Sequence, residues 1–424
     1  MKQYISRQEQ VPISKNVYIY GAGGAGALCF EAFSDVKRNR VKGFVDTYKN
    51  GMHCGIPVFE FNALLSNFNR AEDIVVIASA FEDEIAWALN RAGIYEIYVY
   101  RSTHFYIVAK LVNNILSKDD TISILDIGAR DAENDPRWSV FDPKHVCFYG
   151  FEIDQNEIAR LQTAENQGAR IICFPYGLAG KAGSRKLYFS KGHPGSSSLF
   201  PFNFSVFDRW KMGTTFEQYN EGQKIKPIES VMVSVNTLNS WFHENSITSV
   251  DFAKLNIQGA ELEVLQGGDM VLPHLVGVLL EVAFVENYHG RPLFGDIDSF
   301  MRSHGFQFFD FIGPLHAGRN DSPITTRMFP KLGPRHGQLV EAHALYLRDP
   351  AGEADGESVV YDFGLSRLLK LAALAELFGQ VEYAFELLVW GAKRFAGEGH
   401  MEAAQTCRTT IAAAARAYAD TFGE

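Results

Sequence analysis

Cysteine is scarce in this chain: there are five in 424 residues (Cys29, Cys54, Cys147, Cys173 and Cys407), and none stands in CxxC spacing. That scatter argues against a zinc ribbon or a disulfide framework and suits reduced thiols in a core. No HxxxH or paired-carboxylate motif suggests a metal either. Basic clusters are also missing. No basic run exceeds three residues and the formal net charge is −10, which argues against the concentrated basic face that nucleic-acid binding requires. Long apolar runs are lacking too. The longest, near Val276–Val285, is interrupted by Glu281 and falls short of the roughly 20 residues a spanning helix needs. The opening Met1-Lys-Gln-Tyr-Ile-Ser-Arg carries no apolar signal-peptide core. A cytoplasmic protein with no nucleic-acid partner, no membrane span and no metal is therefore expected.

What is present is a globular composition, 46% hydrophobic and 21% charged, in a chain long enough for two or three domains. Residues 1–104 alternate strands and helices. Strands are expected over residues 16–20, 41–46, 73–80 and 96–100. The first runs into Gly21-Ala-Gly-Gly-Ala-Gly26 ahead of a helix, and Asp46 follows that loop by about 20 residues. This is the nucleotide-binding pattern, in which Gly21, Gly23, Gly24 and Gly26 let the backbone approach a phosphate and Asp46 faces a ribose. The competing reading is a tight turn that binds nothing. Four strands make half of a dinucleotide fold, and no hydride-transfer domain follows, so a nicotinamide oxidoreductase rests on the glycine loop alone.

A linking helix is expected in 105–120, then a second α/β core over 121–350. Its strands fall at 122–126, 146–152, 170–174, 230–235, 252–257, 277–282, 307–311 and 342–348, with helices at 155–167 and 262–271. That alternation predicts a doubly wound, mainly parallel sheet, antiparallel towards its last strands. Residues 313–336 read as a surface loop. After the Gly- and Asp-rich linker 349–356, residues 357–424 carry three Ala- and Leu-rich helical patterns, a helical tail that caps the domain or mediates homo-oligomerisation.

Two strand-end junctions carry the chemistry: Ile122-Ser-Ile-Leu-Asp-Ile-Gly128 and Asp251-Phe-Ala-Lys-Leu-Asn-Ile-Gln-Gly-Ala-Glu261. Ligands in open α/β sheets bind at that carboxyl edge. These junctions stand among six ordered blocks, with Tyr149-Gly-Phe-Glu-Ile-Asp154, His193-Pro-Gly-Ser-Ser-Ser-Leu199, Leu280-Glu-Val-Ala-Phe-Val-Glu286 with Pro292–Asp298, and Ala344–Asp349. Together they resemble the FkbM family of S-adenosylmethionine-dependent methyltransferases. The resemblance implies a class I methyltransferase-type sheet, S-adenosylmethionine as cofactor, and O-methyl transfer to a small-molecule or glycan acceptor. The cofactor would meet Asp126, Gly128, Glu152 and Asn256, with Glu152 accepting the ribose hydroxyl protons; Asp154 reads as a helix cap.

This chain departs from the family at Asp131 and Ala132, and at Asn239 and Asn256, where an acid is usual. Asparagine keeps the hydrogen-bonding shape but loses the charge and any base function. These departures favour a rival reading, a non-catalytic scaffold that keeps the fold. For catalysis the candidates are His193, Glu261 and Glu281. An imidazole in a Gly/Ser loop suits a general base, or is a surface histidine. Glu261 at a helix start is a substrate group or a cap. Glu281 inside an apolar strand needs a partner, either a ligand or Lys254. The Phe-rich stretch 200–207 with Trp210 forms a lid or packs as a loop. A nucleotide sugar at the N-terminal loop would give both α/β units a common substrate.

Overall fold

The computed structural model describes residues 3–5, 11–12, 14–33, 35–79, 82–100, 106–117, 120–129, 136–166, 171–213, 218–323, 337–352 and 363–422. The expected strands near the N-terminus appear as Asn16–Tyr20, Val41–Val45, Asp73–Ile77 and Ile97–Tyr100. They are near-continuous buried Val, Ile and Tyr runs, the pattern of parallel strands covered on both faces. Three short strands complete a seven-stranded sheet: Gln3–Ile5 beside Ile97–Tyr100, and the hairpin Gly51–His53 with Ile56–Phe59 beside Val41–Val45. Four strands were expected here. The hairpin escapes a periodicity reading because its strands are short and half-exposed. Its tight turn uses Cys54 and Gly55, both at positive φ, as two-residue hairpin turns demand.

The second unit centres on a nine-stranded sheet. Its first seven strands lie in the order Ile171–Phe174, Val146–Phe151, Ile122–Ile127, Phe252–Leu255, Gly277–Ala283, Gln338–Arg348 and Phe306–Arg319. The first five are mutually parallel. Gln338–Arg348 runs antiparallel to both of its neighbours. This is the doubly wound sheet expected for a class I methyltransferase, and chain order reverses between Ile122–Ile127 and Phe252–Leu255.

Two expectations need correction. Residues 230–235 do not join that sheet. Ile228–Asn236 forms a separate three-stranded sheet with Gly177–Leu178 and Gly183–Ser190. Ser230, Val231, Met232 and Ser234 are exposed, and only Val235 is buried, as suits a strand of a small outlying sheet. Residues 313–319 are not loop. They extend Phe306–Arg319 in a long hairpin with Gln338–Arg348, bulged around Gly313 at φ +62°. Residues 324–336 lie outside the described residues.

Of the two readings of the tail, the structure shows the cap. Its helices, Leu365–Leu377, Val381–Gly397 and Met401–Phe422, share one apolar core with the helix Ile107–Ile115 and one face of the central sheet. Glu376 accepts hydrogen bonds from the backbone N–H groups of Ile107, Val108 and Ala109 (2.9, 2.9 and 2.8 Å), closing the N-terminus of that helix. Lys370 reaches buried Asp251 (3.0 Å) at the foot of Phe252–Leu255. The tail is thus an inner wall of the domain, with its apolar face committed within the chain. Among the described residues, no helix is long and apolar enough to cross a membrane.

Candidate active site

Because chain order reverses between Ile122–Ile127 and Phe252–Leu255, their outgoing loops diverge and open a crevice. A cavity of about 580 Å³ occupies it, within the range of small-molecule sites. Gly128 makes the crevice geometrically possible. Its φ is +79°, and a Cβ there would strike the backbone carbonyl oxygen of Asn256. The two sequence junctions therefore meet face to face.

One end of the cavity is formed by Gly128, Glu152 and Asp154. Glu152 is buried at the end of Val146–Phe151, and its Oε1 accepts from the N–H groups of Ile153 (2.7 Å) and Asp154 (2.9 Å). Those bonds hold the carboxylate at the strand end. Asp154 caps the helix Gln155–Asn166 by accepting from the Asn156 N–H (2.9 Å), as expected. Asp126 is fully buried and is not among the cavity-lining residues. Its Oδ1 lies 2.9 Å from Lys254 Nζ, directly opposite in strand register, and Lys254 also donates to the Gly128 carbonyl (3.0 Å). Asp126 thus acts through Lys254 and the glycine turn.

Asn256 lines the cavity. Its Nδ2 faces His343 Nε2 at 3.4 Å, and its Oδ1 accepts from Gln258 Nε2 at 3.0 Å. Burial, with the charges of Lys254 and Arg137, pushes the His343 imidazole down to about 4. Asparagine can meet Nε2 of a neutral imidazole in either tautomer, as donor or as acceptor, whereas an ionised aspartate can only accept. Asn239 has a local explanation too. Its amide donates to Asp269 and its Oδ1 accepts from the Met270 N–H at 3.0 Å, tying two turns together. Asp131 and Ala132 lie outside the described residues.

Gln258 is a residue whose role the sequence reading missed. Its backbone adopts φ +57°, and its amide nitrogen donates to both Asn256 and Glu281 (2.8 Å). Its backbone carbonyl accepts from Ser198 Oγ at 2.6 Å, binding the 193–199 loop to the sheet. Only its place before Gly259 in the turn hinted at this. Glu261 is buried and accepts from the N–H groups of Ile257 and Gly259 (both 2.9 Å), so it shapes that turn from behind.

Glu281 pairs with Arg291 (3.2 Å), not with Lys254. Arg291 also bridges Glu341 (2.9 Å) and Asn287 (2.7 Å). A strand-order guess cannot anticipate this, because Arg291 arrives from a loop ten residues further along. Burial, aided by the charge of Glu341, pushes the Glu281 carboxyl up to about 8 against the pull of Arg291. Its unfolded value is near 4.5. Its contribution to stability is therefore full below about 4.5 and is lost as pH rises through about 8. Glu281→Gln removes that loss, so the difference in Tm should move in the variant's favour between about pH 6 and about pH 9. Parallel Tm curves across that range would show that Glu281 remains ionised in the fold.

His193 is exposed, with Nδ1 2.7 Å from Ser196 Oγ. Its neighbours Pro194, Gly195, Ser197 and Ser198 line the cavity, while its own ring does not. Leu187, Phe189, Val231, Val233 and Val235 of the three-stranded sheet form an apolar roof. The Phe-rich stretch packs inward. Phe202, Phe207, Trp210 and Tyr288 make a buried aromatic cluster, which is the packed-loop reading.

In the N-terminal sheet, Gly21 has φ +119°, and a Cβ on Gly26 would strike the Gly21 carbonyl, so the tight-turn geometry is real. Gly23 precedes the helix Gly24–Glu31 as its N-cap. Asp46 accepts from the N–H groups of Ala22 (2.8 Å), Tyr48 (2.9 Å) and Lys49 (3.0 Å). Lys49 Nζ donates to the Ala22 carbonyl (2.9 Å), and His53 Nε2 lies 3.2 Å from that of Gly23. These bonds tie Asp46 into the turn much as backbone N–H groups hold Glu152 at its strand end.

Residues 126–308 match the family described as Methyltransferase FkbM domain. A curated relative is the 2-O-methyltransferase NoeI of Sinorhizobium fredii (strain NBRC 101917 / NGR234). It is 26% identical over 190 residues, covering 43% of this chain and 72% of NoeI. Solved structures with some likeness include a precorrin-6y C5,15-methyltransferase from Geobacter metallireducens GS-15, at 10% identity and a TM-score of 0.26 over 57% of this chain and 86% of that one. Another is the 23S rRNA methyltransferase ErmE, at 8% identity and a TM-score of 0.23 over 68% and 87%. At those scores the fold assignment rests on the strand order itself.

Proposed function

We propose that this methyltransferase, whose FkbM domain spans residues 126–308, transfers a methyl group from S-adenosylmethionine to a hydroxyl oxygen on a sugar, in a glycan or its nucleotide-linked precursor. The observation that carries the donor assignment is the cavity end where Glu152, fixed by two backbone N–H groups, faces the Gly128 turn at the switch point. A carboxylate held so firmly suits a ribose diol, and a glycine turn suits the amino-acid arm of the donor. When bound, the donor supplies an electrophilic methyl on a sulfonium. The chain's own part is positioning, since an in-line displacement gains most from alignment of its two reactants.

Hydroxyl transfer is supported by the name of the related 2-O-methyltransferase. The sugar reading is supported by the uncharged polar residues Asn256, Gln258, Ser197 and Ser198 along the cavity wall, opposite an apolar roof. Polar groups on one side and apolar surface on the other match the two faces of a pyranose. His193 stands in the loop that supplies two of those residues, but its ring does not line the cavity; to take the acceptor's proton it would have to turn inward from its contact with Ser196. The asparagines at 239 and 256, which favoured a non-catalytic scaffold, both have local structural partners.

Titrating the protein with S-adenosylmethionine and S-adenosylhomocysteine by calorimetry tests the donor assignment. Micromolar binding is expected, reduced at least tenfold in Glu152→Ala while the thermal melt is retained. No binding by folded wild-type protein would return the scaffold reading to first place. Binding then justifies a radiolabel screen of free sugars, glycans and nucleotide sugars for the acceptor.

A further inference from the structure

We propose that Lys254 binds the carboxylate of the methyl donor's amino-acid arm; this rests on the S-adenosylmethionine reading above. Among the described residues lining the cavity, Lys254 is the sole cation, against two carboxylates, Glu152 and Asp154. The donor carries a sulfonium, an α-ammonium and one carboxylate, so its one anionic group has a single cationic side chain to meet.

The described backbone N–H groups of the glycine turn are already committed. The N–H groups of Gly128 and Ala129 both donate to the Phe151 carbonyl, each at 3.1 Å. The N–H of Asn256, across the crevice, donates to the Ile127 carbonyl at 3.0 Å. Among the described groups at this turn, an anion is therefore left to a side chain. Lys254 sits beside it, with Nζ 3.0 Å from the Gly128 carbonyl and 2.9 Å from Asp126 Oδ1. An ammonium has three protons to donate, and these two partners leave one. The side chain is 19% exposed whereas Asp126 is fully enclosed, so the lysine is the accessible member of the pair. Asp126 also offsets its charge, which lowers the repulsion a bare ammonium would exert on a nearby sulfonium.

The test compares two ligands that differ in this arm. S-adenosylhomocysteine carries the carboxylate; 5′-methylthioadenosine keeps the adenine, ribose and sulfur but lacks it. In calorimetry, Lys254→Met should weaken S-adenosylhomocysteine at least tenfold and leave methylthioadenosine within twofold of wild type. Lys254→Arg should recover part of the loss. Equal weakening of both ligands would overturn the proposal, because it would mean that Lys254 acts only by holding the turn. Unchanged affinity for both would overturn it as well. If wild type binds neither ligand, the donor reading itself fails, a result distinct from either of these. Should Lys254→Met fold poorly because Asp126 is left buried and unpaired, the double variant Lys254→Met, Asp126→Asn removes that charge, and the same two-ligand comparison applies.

Discussion

Deleting residues 357–424 should leave a protein whose methyltransferase domain no longer melts cooperatively. The helix Leu365–Leu377 alone buries Leu368, Leu369, Leu371, Leu374 and Leu377 against the sheet and the Ile107–Ile115 helix. At about 1.5–3 kcal/mol for each buried leucine, these five side chains contribute on the order of 10 kcal/mol, comparable to the whole stability of a typical domain. Deletion also removes Phe378, which stacks on Phe252 at 5.1 Å, and the carboxylate of Glu376 that closes the N-terminus of Ile107–Ile115. A finer cut gives the same sign. Lys370→Met leaves Asp251 buried with the Ser123 N–H (2.8 Å) still donating to it but without its hydrogen-bonded lysine, an arrangement that costs roughly 3–5 kcal/mol. Chemical denaturation of the full chain and both variants measures this. A truncated protein with an unchanged transition would mean that the tail merely rests on the domain.

Gly128→Ala should abolish donor binding and lower Tm. An alanine at φ +79° carries a strain of about 1–3 kcal/mol, and its Cβ drives into the Asn256 carbonyl, which belongs to the neighbouring strand end. Relief requires the two junctions to part, which widens the crevice where the donor is held. About 1 kcal/mol corresponds to roughly 2–4 °C in a domain of this size, so a fall of at least about 5 °C is expected. Gly399→Ala is the control. Its φ is +83°, but nothing lies within 4 Å of the added methyl, so it carries the backbone strain without the collision. If both variants melt alike and both bind S-adenosylhomocysteine, close approach at Gly128 is not what shapes the site.

Much of this architecture could be read from the chain. Buried parallel strands announce themselves as apolar runs, so the seven core strands that build the crevice, and the two junctions that meet across it, were all recognisable in order. Gly128 and Glu152 could be placed because both sit at strand ends, where the neighbouring residues fix direction. What escaped reading depends on partners distant in sequence. Lys254 was matched to Glu281 on strand adjacency; its actual partner, Asp126, lies on the strand at its other side, while Arg291 enters from a loop to meet Glu281. Ile228–Asn236 looked like another core strand until its pairing in a small outlying sheet placed it over the cavity. The tail helices looked peripheral because amphipathicity tells which face is buried, but not against what.

The bond between Glu376 and Ile107 spans 269 positions of sequence, and this sets an order of events during synthesis. Domains generally fold as they leave the ribosome, N-terminal first. The seven-stranded sheet ahead of residue 101 has all of its strands as soon as it emerges. The methyltransferase sheet does not, for one of its faces keeps only part of its cover, including the Ile107–Ile115 helix, until the helix Leu365–Leu377 is made. For most of its translation the nascent chain therefore displays Ile107, Val108 and Val112 without their full cover, and a chaperone that recognises exposed apolar helices would find its substrate in that interval.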